Sequence, residues 1–218
     1  MTLRPLADVS AGDWLVDAPD DRAMLISRGP AGFDSYARIL HSWLDYGHHE
    51  RREGCLDDSQ LVALRELLAK HTSTPDACFH ALWDGFGEIE GGEAVGFLTS
   101  FSGSPVYGRI FRPAKKQEPP PPAFPPAVIN GPRLHLTNGD YILFTGPLAE
   151  AGRWGAAPYA TDIPRDINSP NLLWPVDRSW FVATEIDHSW TGVAGSALLI
   201  DELLADPRLE VVRSGKVP

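Results

Sequence analysis

Alternating apolar and polar positions predict several β-strands. In SWFVATEID, from Ser179 to Asp187, side chains alternate between two faces that both begin apolar, which predicts a central strand from Trp180. The run Tyr141 to Phe144 predicts a second core strand. Asn138-Gly139 stands between that run and RLHL, and this dipeptide is typical of a tight hairpin turn.

A 3.6-residue period predicts helices elsewhere. Leucines form an apolar stripe in DDSQLVALRELLAKH, where Asp57 and Gln60 have the spacing of a capping box, so we expect a helix over 59–70. Ser196 to Ala205 predicts a second helix, followed by a strand over Leu209 to Val212. In TPDACFHALWDGFG, Thr74 has the features of an N-cap and Pro75 those of a first helical residue, which predicts a short helix.

Hairpins, helices and a final strand–helix–strand unit together indicate the fold class. Two further apolar runs, 22–28 and 34–40, flank the turn sequence GPAG and predict another hairpin, whereas the glycines after His188 predict a loop. We therefore expect an α+β fold with a mainly antiparallel sheet and helices packed on one face.

A proline-rich stretch interrupts this pattern. Residues 112–132 read RPAKKQEPPPPAFPPAVINGP, and consecutive prolines favour an extended path, so we expect an exposed, mobile surface loop. The 218 residues are within the size of one domain. The prediction is a single domain over 1–218 with this loop inserted, and not two domains joined by a linker.

Charge and composition narrow the classes of partner. The formal net charge is −10, which disfavours binding to nucleic acid, and an acidic surface suits either plain solubility or a basic protein partner. No apolar run has the length of a signal peptide or a membrane span, so we expect no membrane association. The two cysteines, Cys55 and Cys78, form no CxxC motif and predict free thiols in the cytoplasm, with a disulfide between them as the alternative.

Metal and cofactor motifs are weak. If HSWLDYGHHE were helical, His41, Asp45 and His48 would share one face with ligand spacing, but Gly47 weakens such a helix and a solvated loop is the favoured interpretation. GVAGSALLI, from Gly192, places glycines before a helix without the lysine of a phosphate-binding loop. The sequence therefore predicts neither a metal nor a cofactor.

Glu185 and Asp187 are the candidate catalytic pair. On one face of a strand they would be about 7 Å apart at the backbone, a separation compatible with acid and base roles in a glycoside hydrolase. Trp174, Trp190 and Asp177 could complete such a cleft. The structural alternative is that the two carboxylates mark the place where a buried strand reaches solvent.

Four segments also resemble a set of uncharacterised actinobacterial proteins. They are TSTPDACFHALWDGFG, DYILFTGPL, SPNLLWPVDRSWFVATEID and GSALLIDELLADPRLE, and together they cover most of the chain outside the proline-rich stretch. The resemblance implies a cytoplasmic protein from a GC-rich bacterium. It implies no activity and assigns no catalytic residue.

Three hypotheses about function remain after these observations. The leading one is a non-enzymatic cytoplasmic protein that acts by binding a protein, of which an immunity protein against a toxin is one concrete version; its support is the acidic charge, the seven tryptophans and the lack of a catalytic motif. The second is a hydrolase that uses Glu185 and Asp187. The third is a small-ligand-binding protein with a pocket lined by Trp83, Trp174 and Trp190.

Overall fold

All nine strands of the computed structural model's described residues belong to one antiparallel sheet. The described residues are 3–17, 25, 27–43, 51–90, 121–137, 139–159, 162–163, 165 and 167–214. The strands are β1 (Arg4–Pro5), β2 (Ser35–Leu40), β3 (Cys78–Trp83), β4 (Leu134–Leu136), β5 (Gly139–Gly146), β6 (Leu172–Pro175), β7 (Phe181–Thr184), β8 (Trp190–Gly195) and β9 (Val211–Ser214). Their order is β1-β5-β3-β6-β7-β8-β2-β9, with β4 also paired to β5. The predicted mainly antiparallel α+β class is confirmed.

The α-helices named among the described residues are few and mostly short. They are α1 (Asp13–Val16), α2 (Asp58–Leu68), α3 (Gly87–Glu90), α4 (Pro126–Ile129) and α5 (Ala197–Ala205). Asp57 caps α2 by accepting the Gln60 amide at 2.8 Å, and Ser196 caps α5 by accepting the Leu199 amide at 3.2 Å. Both predicted long helices are therefore confirmed, and the hydroxyl of Ser196 serves as an ordinary N-cap.

The sheet has a layer on each side. Helices α2 and α5 cover what we call the helix face, whose buried side chains include Ala37, Ile39, Val182 and Val193. The N-terminal segment covers the opposite face, with Trp14, Leu15 and Leu25 packed on Tyr36, Leu172, Trp174, Phe181 and Ala183. The two longer helices thus share one face as predicted, while the short α1 lies on the other.

The predicted helix over TPDACFHALWDGFG is wrong. Thr74 to Ala77 form a turn, in which the Ala77 amide donates to the Thr74 carbonyl at 3.0 Å, and β3 begins at Cys78. Strand β3 pairs with β5 on one side and β6 on the other, so its backbone groups bond to neighbouring strands. Thr-Pro-Asp is a start signal that helices and turns share, and sheet pairing decided between them.

Three further predictions need correction. The first arm of the 22–28 and 34–40 hairpin is helical at Leu25, Ser27 and Arg28, while the second arm is β2, which pairs with β8 and β9. The glycine-containing segment after His188 is strand β8 and not a loop. The last strand, β9, begins two residues later than predicted. Asn138 lies outside the described residues, but its hairpin is confirmed by the pairing of Leu136 with Gly139.

The proline-rich stretch is only partly a surface loop. Residues 112–120 lie outside the described residues, and Pro121 and Pro122 are exposed. Phe124, however, is buried and packs against Phe144 with 5.5 Å between ring centroids. The prediction of an exposed loop is therefore wrong for Ala123 and Phe124, because an aromatic side chain among the prolines is buried in the core.

Candidate functional site

Glu185 and Asp187 lie in a turn and not on a strand. Strand β7 ends at Thr184, one residue before Glu185. The Asp187 amide donates to Glu185 Oε2 at 2.8 Å, and Asp187 is exposed. The two carboxylates therefore do not face the same way along an extended strand, which was the premise of the catalytic pair. Glu185 has the backbone-amide partner that a partly buried carboxylate requires.

Asn171 holds the neighbouring strand ends together, and sequence analysis missed it. Its side chain is buried, its oxygen accepts the Trp83 amide at 2.8 Å, and its nitrogen donates to the Thr184 carbonyl at 3.2 Å. Its backbone amide donates to Ala81 and its carbonyl accepts the Thr184 amide. One residue before β6 thus bonds to both β3 and β7.

Trp83 and Tyr141 pair across strands at this same end of the sheet. The Trp83 ring meets Phe86 edge-on at 5.2 Å between centroids. Burial raises the pKa of Tyr141 to about 12, and the negative charge of Glu185 adds to this effect. The phenol is therefore neutral at physiological pH and lies within electrostatic range of Glu185.

Trp190 is the first residue of β8, and its side chain lies on the face of the sheet opposite the helix face. The His188 ring stacks on it with 3.9 Å between centroids, and the Arg38 guanidinium carbon lies 4.7 Å from the ring centroid. The indole is therefore contacted by an imidazole and by a cation. Neither Trp190 Nε1 nor His188 Nδ1 has a hydrogen-bond partner in the described part of the chain.

Trp174 and Asp177 lie away from this end. Trp174 is fully buried in the core, where its ring stacks on Phe181 with 5.9 Å between centroids. Asp177 follows β6 at the opposite end, where it accepts from Thr72, Ser73 and Ser179. Burial raises its pKa, but these hydrogen bonds together outweigh burial and hold the pKa below its usual range.

The predicted site residues therefore fall into three places. Glu185, Asp187, Trp83 and Trp190 are at one end of the sheet, Asp177 is at the other, and Trp174 is between the layers. Trp174 thus lies apart from Trp83 and Trp190, because it pairs with Phe79, four residues before Trp83 on β3. Sequence alternation places a tryptophan on a face, but it does not say whether another layer covers that face.

His41 belongs to a buried chain of hydrogen bonds. Its Nδ1 lies 2.9 Å from the Arg52 carbonyl, its Nε2 lies 2.9 Å from the Thr191 hydroxyl, and Thr191 lies 2.8 Å from the Thr184 hydroxyl. Burial lowers the pKa of His41 to about 4, so the ring is neutral. Since a carbonyl only accepts, Nδ1 carries the proton, Thr191 donates to Nε2, and Thr184 donates to Thr191.

No group of three or more metal-ligating side chains occurs among the described residues. Asp45 and His48 of the metal hypothesis lie outside them. Both cysteines are buried and form no disulfide. Burial raises the pKa of the Cys78 thiol to about 12, so that thiol is unreactive at neutral pH.

Trp43 projects from the end of β2 and is 54% exposed. It pairs with Arg51 in an isolated β-bridge, and the Arg51 guanidinium carbon lies 4.2 Å from the Trp43 ring centroid. Arg51 donates to both Glu210 oxygens at 2.8 Å and to the His41 carbonyl at 2.7 Å. The cation beneath the indole is thus fixed by three hydrogen bonds.

A hollow of about 530 Å³ adjoins this tryptophan, and we call it the Trp43 hollow. Its walls are the end of β2, the start of α2 and the segment Pro207–Glu210. Arg208 bonds to both Asp206 and Glu66 on its rim. Two arginines, Arg51 and Arg208, and two carboxylates, Asp57 and Glu210, thus line the hollow, and the carboxylates of Glu66 and Asp206 adjoin it.

A larger polar cleft of about 670 Å³ lies on the other side of the α2 N-terminus. Its lining includes Arg52, Arg65, Arg153 and Ser169. Arg65 donates to the carbonyls of Ala149 and Ala151, and Ser169 accepts the Leu56 amide. These hydrogen bonds hold neighbouring loops against α2 and the residues before it. Arg65 and Ser169 are therefore engaged in contacts within the fold.

Within the described part of the chain, no helix is both long and apolar enough to cross a membrane. Comparisons with protein-family models, with curated proteins and with solved structures each found no match to this chain. The site itself must therefore carry any argument about function.

Proposed function

We propose that this protein acts by binding a basic protein partner through the surface around Trp43, and not by catalysis. The observation that carries the proposal is a tryptophan left 54% exposed while the side chain beneath it is held by three hydrogen bonds. Tryptophan and arginine are the residues most enriched in the energetic centres of protein interfaces.

The fixed position of the Trp43 side chain supports a role in protein binding. Ordering a flexible side chain on binding costs free energy, whereas an indole already fixed on Arg51 avoids part of that cost. Because Trp43 is 54% exposed, about half of its surface remains accessible to a partner while Arg51 is stacked on it. The adjoining hollow, about 530 Å³, offers a concave surface for a side chain that the partner inserts.

Charge supports a basic partner. The whole chain carries a formal charge of −10, and the carboxylates of Asp57 and Glu210 line the hollow while those of Glu66 and Asp206 adjoin it. Complementary charge would speed association and make it sensitive to salt. A toxin with a basic surface is one partner of this chemistry, and immunity to it is the concrete version of the proposal.

The test compares the wild-type protein with Trp43→Ala as bait in an extract of the source organism. A captured protein is purified and its affinity measured by calorimetry. We expect Trp43→Ala to weaken binding by about thirtyfold or more, the loss typical of an interface centre, and added salt to weaken wild-type binding further.

Val176→Ala is the matched control, because Val176 is another exposed apolar residue, beyond β6 at the far end of the sheet. It should bind like the wild type. If the purified partner binds the wild type and Trp43→Ala equally, or is not basic, the proposal is wrong. Association of two copies of this chain through Trp43, measured by sedimentation, would also contradict it.

A further inference from the structure

The polar cleft of about 670 Å³ beside α2 is elongated along the helix. Its lining on α2 runs from Asp58 to Arg65, a rise of about 10 Å at 1.5 Å per residue. Arg52 lies beside the first turn of the helix, because Ser42 accepts the Arg52 amide at 2.9 Å and donates its own amide to the Gln60 side chain at 3.2 Å. We call the cleft between Arg52 and Arg65 the α2 cleft.

The side chain of Arg52 is the part of that residue that reaches the α2 cleft. Its amide and its carbonyl bond to Ser42 and His41, which line the Trp43 hollow and not this cleft. The Arg52 guanidinium forms no ion pair with any carboxylate in the part of the chain that the structure describes. One end of the cleft therefore has a positive charge without a direct counter-charge.

Arg65 and Arg153 place two positive charges at the other end. Arg65 Nη1 donates to the carbonyls of Ala149 at 2.7 Å and Ala151 at 3.3 Å, both uncharged acceptors. Burial lowers the pKa of Arg65 below its usual value, and the nearby charge of Arg153 lowers it further. The charge of Glu150 opposes this effect without cancelling it, so the two guanidinium groups are only partly neutralised.

The rest of the lining indicates what kind of anion would fit. Leu56, Leu61 and Ile167 are buried and line the cleft, so a hydrocarbon chain can lie between the charged ends. The carboxylates of Asp57 and Asp58 also line it. They disfavour a phosphate group, which carries up to two negative charges, more than a carboxylate group, which carries one.

We infer that the α2 cleft binds a small dicarboxylate, with one carboxylate held by Arg65 and Arg153 and the other by Arg52. Guanidinium groups offer paired N–H donors that match the two oxygens of a carboxylate. The volume of about 670 Å³ is within the range of small-molecule sites. The cleft is on the other side of the α2 N-terminus from the Trp43 hollow, and the inference does not depend on the proposed role of Trp43.

The experiment measures thermal unfolding and calorimetric binding in chloride buffer of constant ionic strength. Adipate, hexanoate and inorganic phosphate are added in separate arms; adipate and hexanoate have the same chain length, but hexanoate has a carboxylate at one end only. Adipate should raise the melting temperature in a saturable manner, since a ligand that binds only the folded state stabilises it. Hexanoate and phosphate should each bind at least about tenfold more weakly, because each engages one end of the cleft.

Arg153→Met and Arg52→Met test the two ends separately. The Arg153 side chain is 68% exposed, and its nearest carboxylate oxygen, on Glu150, is 3.6 Å away, so its replacement should leave folding intact. We expect each variant to bind adipate about tenfold more weakly than the wild type, the loss typical of one charge-assisted contact.

Arg4→Met is the matched control, since Arg4 is exposed on β1 and does not line the cleft. It should bind adipate like the wild type. No saturable response to adipate would overturn the inference, as would hexanoate or phosphate binding as tightly as adipate. Unchanged affinity for adipate in either Arg153→Met or Arg52→Met would overturn it as well. None of these results would bear on Trp43.

Discussion

At the scale of single residues, buried hydrogen-bonding groups fix this structure more specifically than apolar contacts do. Asn171 is the clearest example, because its side chain accepts from one neighbouring strand and donates to another. An amide side chain can do both, because its oxygen accepts and its nitrogen donates. The position therefore needs Asn and tolerates neither a hydrocarbon nor a carboxylate.

We expect Asn171→Ala to destabilise the protein by ~2–4 kcal/mol, because it leaves the Trp83 amide and the Thr184 carbonyl buried without partners. Urea unfolding followed by circular dichroism measures this loss. Asn130→Ala, at an exposed position after α4, should cost far less. Equal losses in the two variants would show that Asn171 has no special role.

Glu185 also shows how a residue-scale pattern misleads. Its spacing from Asp187 predicted one shared strand face, but the chain turns after Thr184 and the Glu185 carboxylate accepts the Asp187 amide. Such local hydrogen bonds are common for acidic residues in turns. A sequence pattern with period two cannot show where a strand ends.

At the scale of elements, caps were predictable and the choice between helix and strand was less so. Asp57 and Ser196 begin α2 and α5 as expected, since N-capping depends on residues close in sequence. Gln60 does not complete the capping box, because its side chain bonds to Leu40 and Ser42 on the adjoining chain. Segment Cys78–Trp83 became a strand because partners on both sides were available.

The proline-rich stretch gives a prediction at the same scale. Phe124→Ala should destabilise the protein by ~3–5 kcal/mol, because it removes a buried ring that packs on Phe144. Pro122→Ala, at an exposed neighbouring position, should change stability little. Thermal melts of both variants make the comparison, and similar melting temperatures would mean that Phe124 is not part of the core.

At the scale of the whole molecule, two buried histidines link stability to pH. Burial lowers the pKa of His41 and of His80 from 6.5 to about 4. Below pH 6.5 the unfolded chain takes up protons that the folded chain refuses, so folding stability falls as the pH drops. The stability is fully present above pH 6.5 and is lost progressively as the pH falls to about 4.

Urea unfolding over a series from about pH 7 to pH 4 should therefore show a loss of ~3 kcal/mol for each histidine, at about 1.4 kcal/mol per pKa unit. His41→Gln should be less stable than the wild type at neutral pH but lose less on acidification. His135→Gln, at an exposed position, should follow the wild-type profile. A wild-type stability that stays flat over this range would contradict the linkage.

The sequence alone determined the features that depend on near neighbours along the chain. These are the two capped helices, the hairpin before Tyr141 and the buried centre of β7, and together they were enough for the α+β class. Their signals are turn geometry, capping and periodicity, all of which act over a few residues.

Tertiary structure decided what depends on partners far away in the chain. It made strands of Cys78–Trp83 and Trp190–Gly195, covered Trp174 and left Trp43 exposed on a fixed arginine. It also placed Arg28 on Gly192 and bonded Arg51 to Glu210, pairs separated by more than a hundred residues. Burial and pairing are properties of the assembled layers, so no local pattern could have specified the candidate binding surface around Trp43.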